Sequence, residues 1–190
     1  MTEPISQTID SEGSSSGPSD APAERDGGPD RVDRRDWGDI WWSPLIVFVA
    51  VGILVWIAVW FGNNHLTHDP FFPFRKGVGD TWFGGFARWD AEWYRTIARE
   101  GYVYFPGVQS SVAFWPTYPV VIRLFSWAFP SIYITGTVIT VLSGATAVVL
   151  LRRWARVFVP SAAAMTAVVL LCVFPYSWYL YGAVYSDALF

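Results

Sequence analysis

Lysine, cysteine and histidine are nearly absent: the 190 residues hold one Lys, one Cys and two His. A lone cysteine closes no internal disulfide. Cys172 lies in the apolar run Val168-Val169-Leu170-Leu171-Cys172-Val173-Phe174, where it packs as a small hydrophobe. His65 and His68, with Asp69 beside them, are too few ligands for a convincing metal site. No cofactor is therefore expected, and a divalent ion is left open. Outside residues 1–39, nine basic residues stand against six acids, so there is no strongly basic domain and nucleic acid is not an expected partner. No hydrophobic run follows Met1, and no signal peptide is expected there. Arg75-Lys76-Gly77-Val78-Gly79 lacks the spacing of a phosphate-binding P-loop.

What the chain has in abundance is apolar and aromatic surface: 53% hydrophobic and 18% aromatic, with twelve Trp. That load suits a protein with aromatic belts at two membrane interfaces. The acids are concentrated at one end, ten of the sixteen falling in residues 1–39 beside four Arg. This Ser-, Gly-, Pro- and Asp-rich segment buries too little apolar area to offset its ordering entropy, and is expected to be a disordered cytoplasmic tail. Residues 44–61 are apolar and uncharged, with Trp41 and Trp42 before them and Trp56 and Trp60 near their end. They predict a first transmembrane helix over 40–62. Arg25, Arg31, Arg34 and Arg35 precede that helix and hold the N-terminus in the cytoplasm, which makes 63–112 an outer loop.

Further membrane segments are expected over 113–190. The block 112–130 is interrupted by Pro116, Pro119 and Arg123, and is read as broken or re-entrant; 132–151 and 161–181 are read as spans. A full crossing by 112–130 would place Arg152, Arg153 and Arg156 outside, against the positive-inside rule. The expected fold class is an all-α polytopic membrane protein. The ending at Phe190, just after an acid and without a charged stop, reads as the N-terminal part of a longer protein.

The most informative stretch is Arg88-Trp89-Asp90-Ala91-Glu92-Trp93-Tyr94-Arg95-Thr96-Ile97-Ala98-Arg99-Glu100-Gly101-Tyr102. At about 100° per residue it extends an interfacial amphipathic helix over about 82–100. Trp82, Phe86, Trp89, Trp93 and Ile97 fall on one stripe, and Arg88, Arg95 and Arg99 on another side. Glu92 has Arg88 four residues before it and Arg95 three after, the spacing of surface ion pairs. Asp90 has Phe86, Ala87, Trp93 and Tyr94 at those spacings, none of them cationic. It is either the N-cap of a helix over 91–100 closed by Gly101, or a carboxylate left free for chemistry.

Together with Ala113-Phe114-Trp115-Pro116-Thr117-Tyr118-Pro119 and Tyr185-Ser186-Asp187-Ala188-Leu189-Phe190, this stretch resembles the GPI mannosyltransferase II (PIG-V-type) family and its bacterial relatives, within the GT-C superfamily of membrane glycosyltransferases. The resemblance covers residues 44–190. Trp93 stands where many members have His, Trp115 where Phe is commoner, and Asp187 where Glu is usual. The resemblance implies a multi-span enzyme that transfers a sugar, mannose above all, from a polyprenyl-phosphate donor to a lipid or glycan acceptor at the outer face. In a bacterium that is the cytoplasmic membrane. It implies an inverting reaction with Asp90 as general base. Arg88 and Arg123 are then candidates for the donor phosphate, Asp187 for orienting acceptor or base, and Tyr94 for substrate contact. Their alternatives are headgroup contact for the arginines, with membrane lipids as partners, a helix cap for Asp187 and an interface anchor for Tyr94. A non-catalytic membrane module, either a transporter fragment or a scaffold, is the competing class, followed by a truncated, inactive family member.

Overall fold

The computed structural model describes residues 34–65 and 84–190, with side chains from Trp41 onward. The tail expectation over 1–33 lies outside the described residues, as do Trp82, His68, Asp69 and the Arg75-Lys76-Gly77 segment. Among the described residues every regular element is helical.

The first helix, α1, runs Arg34–His65. Residues 34–39, expected in the disordered tail, are its first turns. Once a helix is nucleated, each further residue adds a hydrogen bond, so a packed span extends past its apolar stretch. Its Trp41–His65 portion is long and apolar enough to cross a membrane, as is α4, Ile132–Ala155. The two helices run antiparallel. Arg153 lies over the Trp41 ring at 5.0 Å, and Phe48 packs at Gly144. We call the end bearing Trp41 and Arg153 the lower end, and the opposite one the upper end. A Cβ on Gly144 would stand 2.6 Å from the Leu180 carbonyl oxygen and 3.1 Å from the Phe48 ring. Only glycine lets the three segments approach so closely. Just 11% of α1's apolar window is buried, against 39% for α4, so α1 presents most of its apolar surface outward.

At the upper end lie two short helices, α2 (Ala91–Glu100) and α3 (Thr117–Phe125). The expected helix over 82–100 does not form as one piece. Gly84–Phe86 is a separate 3-10 turn, and Trp89 takes φ 50, which breaks the helix before Asp90. The aromatic stripe breaks with it: Phe86 and Ile97 are buried while Trp89 is exposed, and α2 buries Ala91, Tyr94, Ile97 and Ala98. Gly101, at φ 89, ends α2 with its N–H on the Ile97 carbonyl.

The nine residues of α3 span about 14 Å, half the ~30 Å hydrocarbon core. Its approach and its exit both flank α2. Phe114 packs on Trp93 and Tyr94, and the Tyr133 hydroxyl donates to Glu92. Ser131 caps α4 by accepting the Tyr133 N–H. Tyr118, wholly buried, ties α3 to α4: its hydroxyl donates to the Gly136 carbonyl at 3.0 Å and pairs with Thr140 Oγ1 at 2.8 Å.

Residues 161–181, expected as one span, are two segments. Helix α5 covers Ser161–Val173, and a 3-10 segment over Pro175–Tyr181 departs from it by 86°. A residue before proline is driven out of the helical region, and Phe174 is extended at φ −63, ψ 130. The turn is held because the Tyr181 hydroxyl donates back to the Cys172 carbonyl at 2.9 Å, and the Trp56 indole N–H to the Tyr181 carbonyl at 2.7 Å. Beyond it, the Val184 N–H meets the Phe86 carbonyl at 3.0 Å, so the chain arrives at the upper end. Among the described residues, two helices are apt to cross a membrane, or three if the bent pair counts as one span.

Candidate functional site

Asp90 stands immediately before α2 with helical backbone angles, φ −70 and ψ −12. A capping side chain needs an extended backbone to turn back onto the N2 or N3 amide. Accordingly Asp90 occupies the N-cap position and makes no side-chain cap bond. Its carboxylate has neither a hydrogen bond nor an ion pair among the described residues. Glu92, two residues on, is engaged. Arg95 Nε donates to Glu92 Oε2 at 3.0 Å and its Nη2 to Oε1, with the Tyr133 hydroxyl as a third donor. The two acids are thereby separated in role, one neutralised and one left unpaired.

The unpaired one sits in an aromatic setting. The Asp90 N–H donates to the Tyr185 hydroxyl at 3.0 Å. Burial above all pushes the Tyr185 phenol up to about 12, and the nearby Asp90 charge adds to this. Tyr185 is therefore a neutral hydroxyl at physiological pH. Tyr94 and Ser186 share a hydrogen bond of 2.9 Å. The Tyr94 phenol is likewise raised, first by burial, then by the charges of both Asp187 and Asp90. One hydroxyl thus feels both acids, which the sequence separates by almost a hundred residues. Asp187 itself is exposed on the 3-10 turn Ser186–Ala188.

The rings continue outward. Tyr94 meets Tyr118 edge-on at 5.1 Å, Tyr179 lies 5.1 Å from Tyr185, and Trp178 4.4 Å from Tyr179. Trp89, 68% exposed, stands edge-on to Trp178 at 6.1 Å. Its positive φ is a conformation that costs a non-glycine residue about 1–2 kcal/mol. Strain next to an unpaired acid is typical of sites where the fold holds a group for use.

Of the residues singled out from sequence, Asp90, Tyr94 and Asp187 are brought together. Arg88 is half-buried beside them; its Nη2 donates to Asn63 Oδ1 at 2.8 Å, at the upper end of α1, and burial lowers its basicity below the ordinary value. Arg123, the other candidate for the donor phosphate, lies apart from them. It is exposed, because α3 turns Tyr118 and Ile122 inward and leaves Val120, Arg123 and Leu124 on its outer side. No contact joins Arg123 to Asp90. Trp178 and Tyr179 were not foreseen as part of this wall, and no local signal marks them; the bend at Pro175 brings them here. His65 packs on Phe61 within α1, and no cluster of three metal-ligating side chains occurs among the described residues. No protein-family model matches the chain, and neither a curated protein nor a solved structure shows significant similarity to it.

Proposed function

We propose that this chain is a membrane glycosyltransferase of GT-C type that moves a sugar, mannose above all, from a polyprenyl-phosphate donor to a lipid or glycan hydroxyl. Asp90 is the general base. Its carboxylate removes the proton from the acceptor hydroxyl as that oxygen attacks the anomeric carbon, and the lipid phosphate leaves from the opposite face with the bonding electrons. Configuration inverts. The observation that carries this reading is the contrast between two neighbouring acids: Glu92 is neutralised by Arg95, whereas Asp90 has no cation on it among the described residues. A carboxylate held by arginine is a poor base, and a positioned general base contributes roughly 10²–10⁴-fold in rate. Asp187 orients the acceptor, and the Tyr185 and Tyr94 hydroxyls hydrogen-bond to sugar oxygens. Trp89 and Trp178 offer faces on which a pyranose ring stacks. Arg88 is the phosphate candidate nearest the base. The upper end is then the outer face, which leaves Arg152, Arg153 and Arg156 cytoplasmic.

The test is transfer by the full-length protein in membranes, with polyprenyl-phosphate mannose as donor. Asp90→Asn is expected to lose at least about 100-fold in rate with insertion intact, and Glu92→Gln to stay within a few-fold of wild type. Equal activity of Asp90→Asn and wild type would remove Asp90 from its role. The competing reading, a non-catalytic module in a larger assembly, draws support from the bare apolar face of α1; it requires that no donor be turned over by wild type.

A further inference from the structure

The reaction above uses nothing at the lower end, yet the most anomalous side chain of the molecule is there. Arg152, in the last turn of α4, is only 4% exposed. One guanidinium nitrogen, Nη2, donates to Ser161 Oγ at a long 3.3 Å. Nε and Nη1 are buried with no hydrogen-bond partner. A buried cation without a counter-charge is strongly unfavourable, and arginine remains protonated rather than shedding the charge. Arg153 and Arg156 lie within the next turn, and no acid lies at this end among the residues whose side chains are described. The Ser161 that Arg152 reaches is the first residue of α5, which follows Pro160. The first amides of that thirteen-residue helix have no intrahelical acceptor and carry the positive end of its dipole. The Arg152 Nη2 and the Ser161 hydroxyl so meet at the N-terminus of α5, from two different helices. Trp41, Trp154 and Phe158 stand exposed around it, the pattern of a water–lipid boundary.

We propose that Arg152 and the N-terminus of α5 form a binding site for a phosphate group, supplied by the headgroup of an anionic phospholipid. The planar fork of arginine matches two phosphate oxygens, and the α5 amides take a third. Bound phosphate supplies a counter-charge that Arg152 lacks among the described side chains. This inference does not depend on the transferase reading.

Full-length protein in neutral detergent is titrated with phosphatidylglycerol, with phosphatidylcholine as control and inorganic phosphate as a separate arm. Retained lipid is counted by native mass spectrometry and stability is followed by thermal unfolding. Wild type is expected to take up phosphatidylglycerol saturably, and Arg152→Gln to bind it about tenfold more weakly or worse, as befits a lost charge-assisted contact. Arg153→Gln, which alters an exposed cation, should bind as wild type does. A second readout is the sign of a stability difference. Arg152→Met removes the unpaired charge and should be as stable as wild type or more so in phosphatidylcholine, then less stable once phosphatidylglycerol is present. Non-saturable uptake by wild type overturns the proposal, and so does equal loss in Arg152→Gln and Arg153→Gln. Stabilisation by inorganic phosphate with no lipid retained assigns the site to a free anion and overturns the headgroup.

Discussion

Replacing Gly144 by alanine sets two opposing effects of known size against each other. In a helix interior the exchange is favourable by about 0.5–1 kcal/mol, because alanine loses less backbone freedom on folding. At this position the new methyl would meet the Leu180 carbonyl oxygen at 2.6 Å and the Phe48 ring at 3.1 Å, well inside the roughly 3.5 Å of a relaxed contact. The nearest atom is backbone, so no side chain swings clear; α4 and the 3-10 segment must separate instead. Overpacking of this kind costs about 1–3 kcal/mol. The clash is expected to win, leaving a net destabilisation of about 1–2 kcal/mol, or some 2–8 °C in melting temperature for a chain of this size. Displacement of Leu180 also moves Tyr185, five residues on, away from the Asp90 amide it accepts. Transfer activity should therefore fall at a temperature where the variant is still folded. Thermal unfolding in detergent and the donor-transfer assay check the two halves. A Gly144→Ala variant as stable as wild type, or more stable, would refute the claimed three-way approach at this glycine.

Tyr118→Phe and Thr140→Val each remove part of one buried network, in which Thr140 Oγ1 also donates to the Ala183 carbonyl at 3.0 Å. Each should cost about 0.5–1.5 kcal/mol, and a double-mutant cycle in mixed-micelle unfolding should give a coupling of the order of 0.5 kcal/mol or more. Additive losses would show that the two hydroxyls do not interact. Trp89→Gly relieves the backbone strain at φ 50 and should add up to about 1 kcal/mol of stability while lowering transfer, since the exposed indole is lost. A gain in both would deny the indole its role. Tyr185 is protonated in the folded chain up to about 12, whereas an unfolded tyrosine titrates near 10. Its contribution to stability is present below the unfolded value and is lost as pH rises through the folded one. Difference absorbance titration of wild type against Tyr185→Phe should therefore show one phenol ionising near pH 12 while the chain stays folded; ionisation near 10 would contradict the buried setting.

Sequence by itself determined the apolar bodies of the two long helices, although α1 runs beyond the expected 40–62 at both ends and α4 beyond 151. Apolar composition over 44–61 and 132–151 acts residue by residue, and a stop such as Gly101 works through a hydrogen bond to a carbonyl four residues back. The opposite fates of Asp90 and Glu92 were legible in part, because the Glu92–Arg95 pair lies within one turn of helix. Tertiary structure alone decided the rest. The break before Asp90 rests on Trp89 holding a strained conformation. The burial of Arg152 and the exposure of Arg123 were decided there too, since burial depends on which neighbour covers a helix face. The break at Pro175 falls inside the single span expected over 161–181, and the direction of the 86° turn is set by Tyr181 bonding to the Cys172 carbonyl and by Trp56 on another helix. That turn carries Trp178, Tyr179, Tyr185 and Asp187 to Asp90, a meeting of residues separated by some ninety positions that only long-range packing creates.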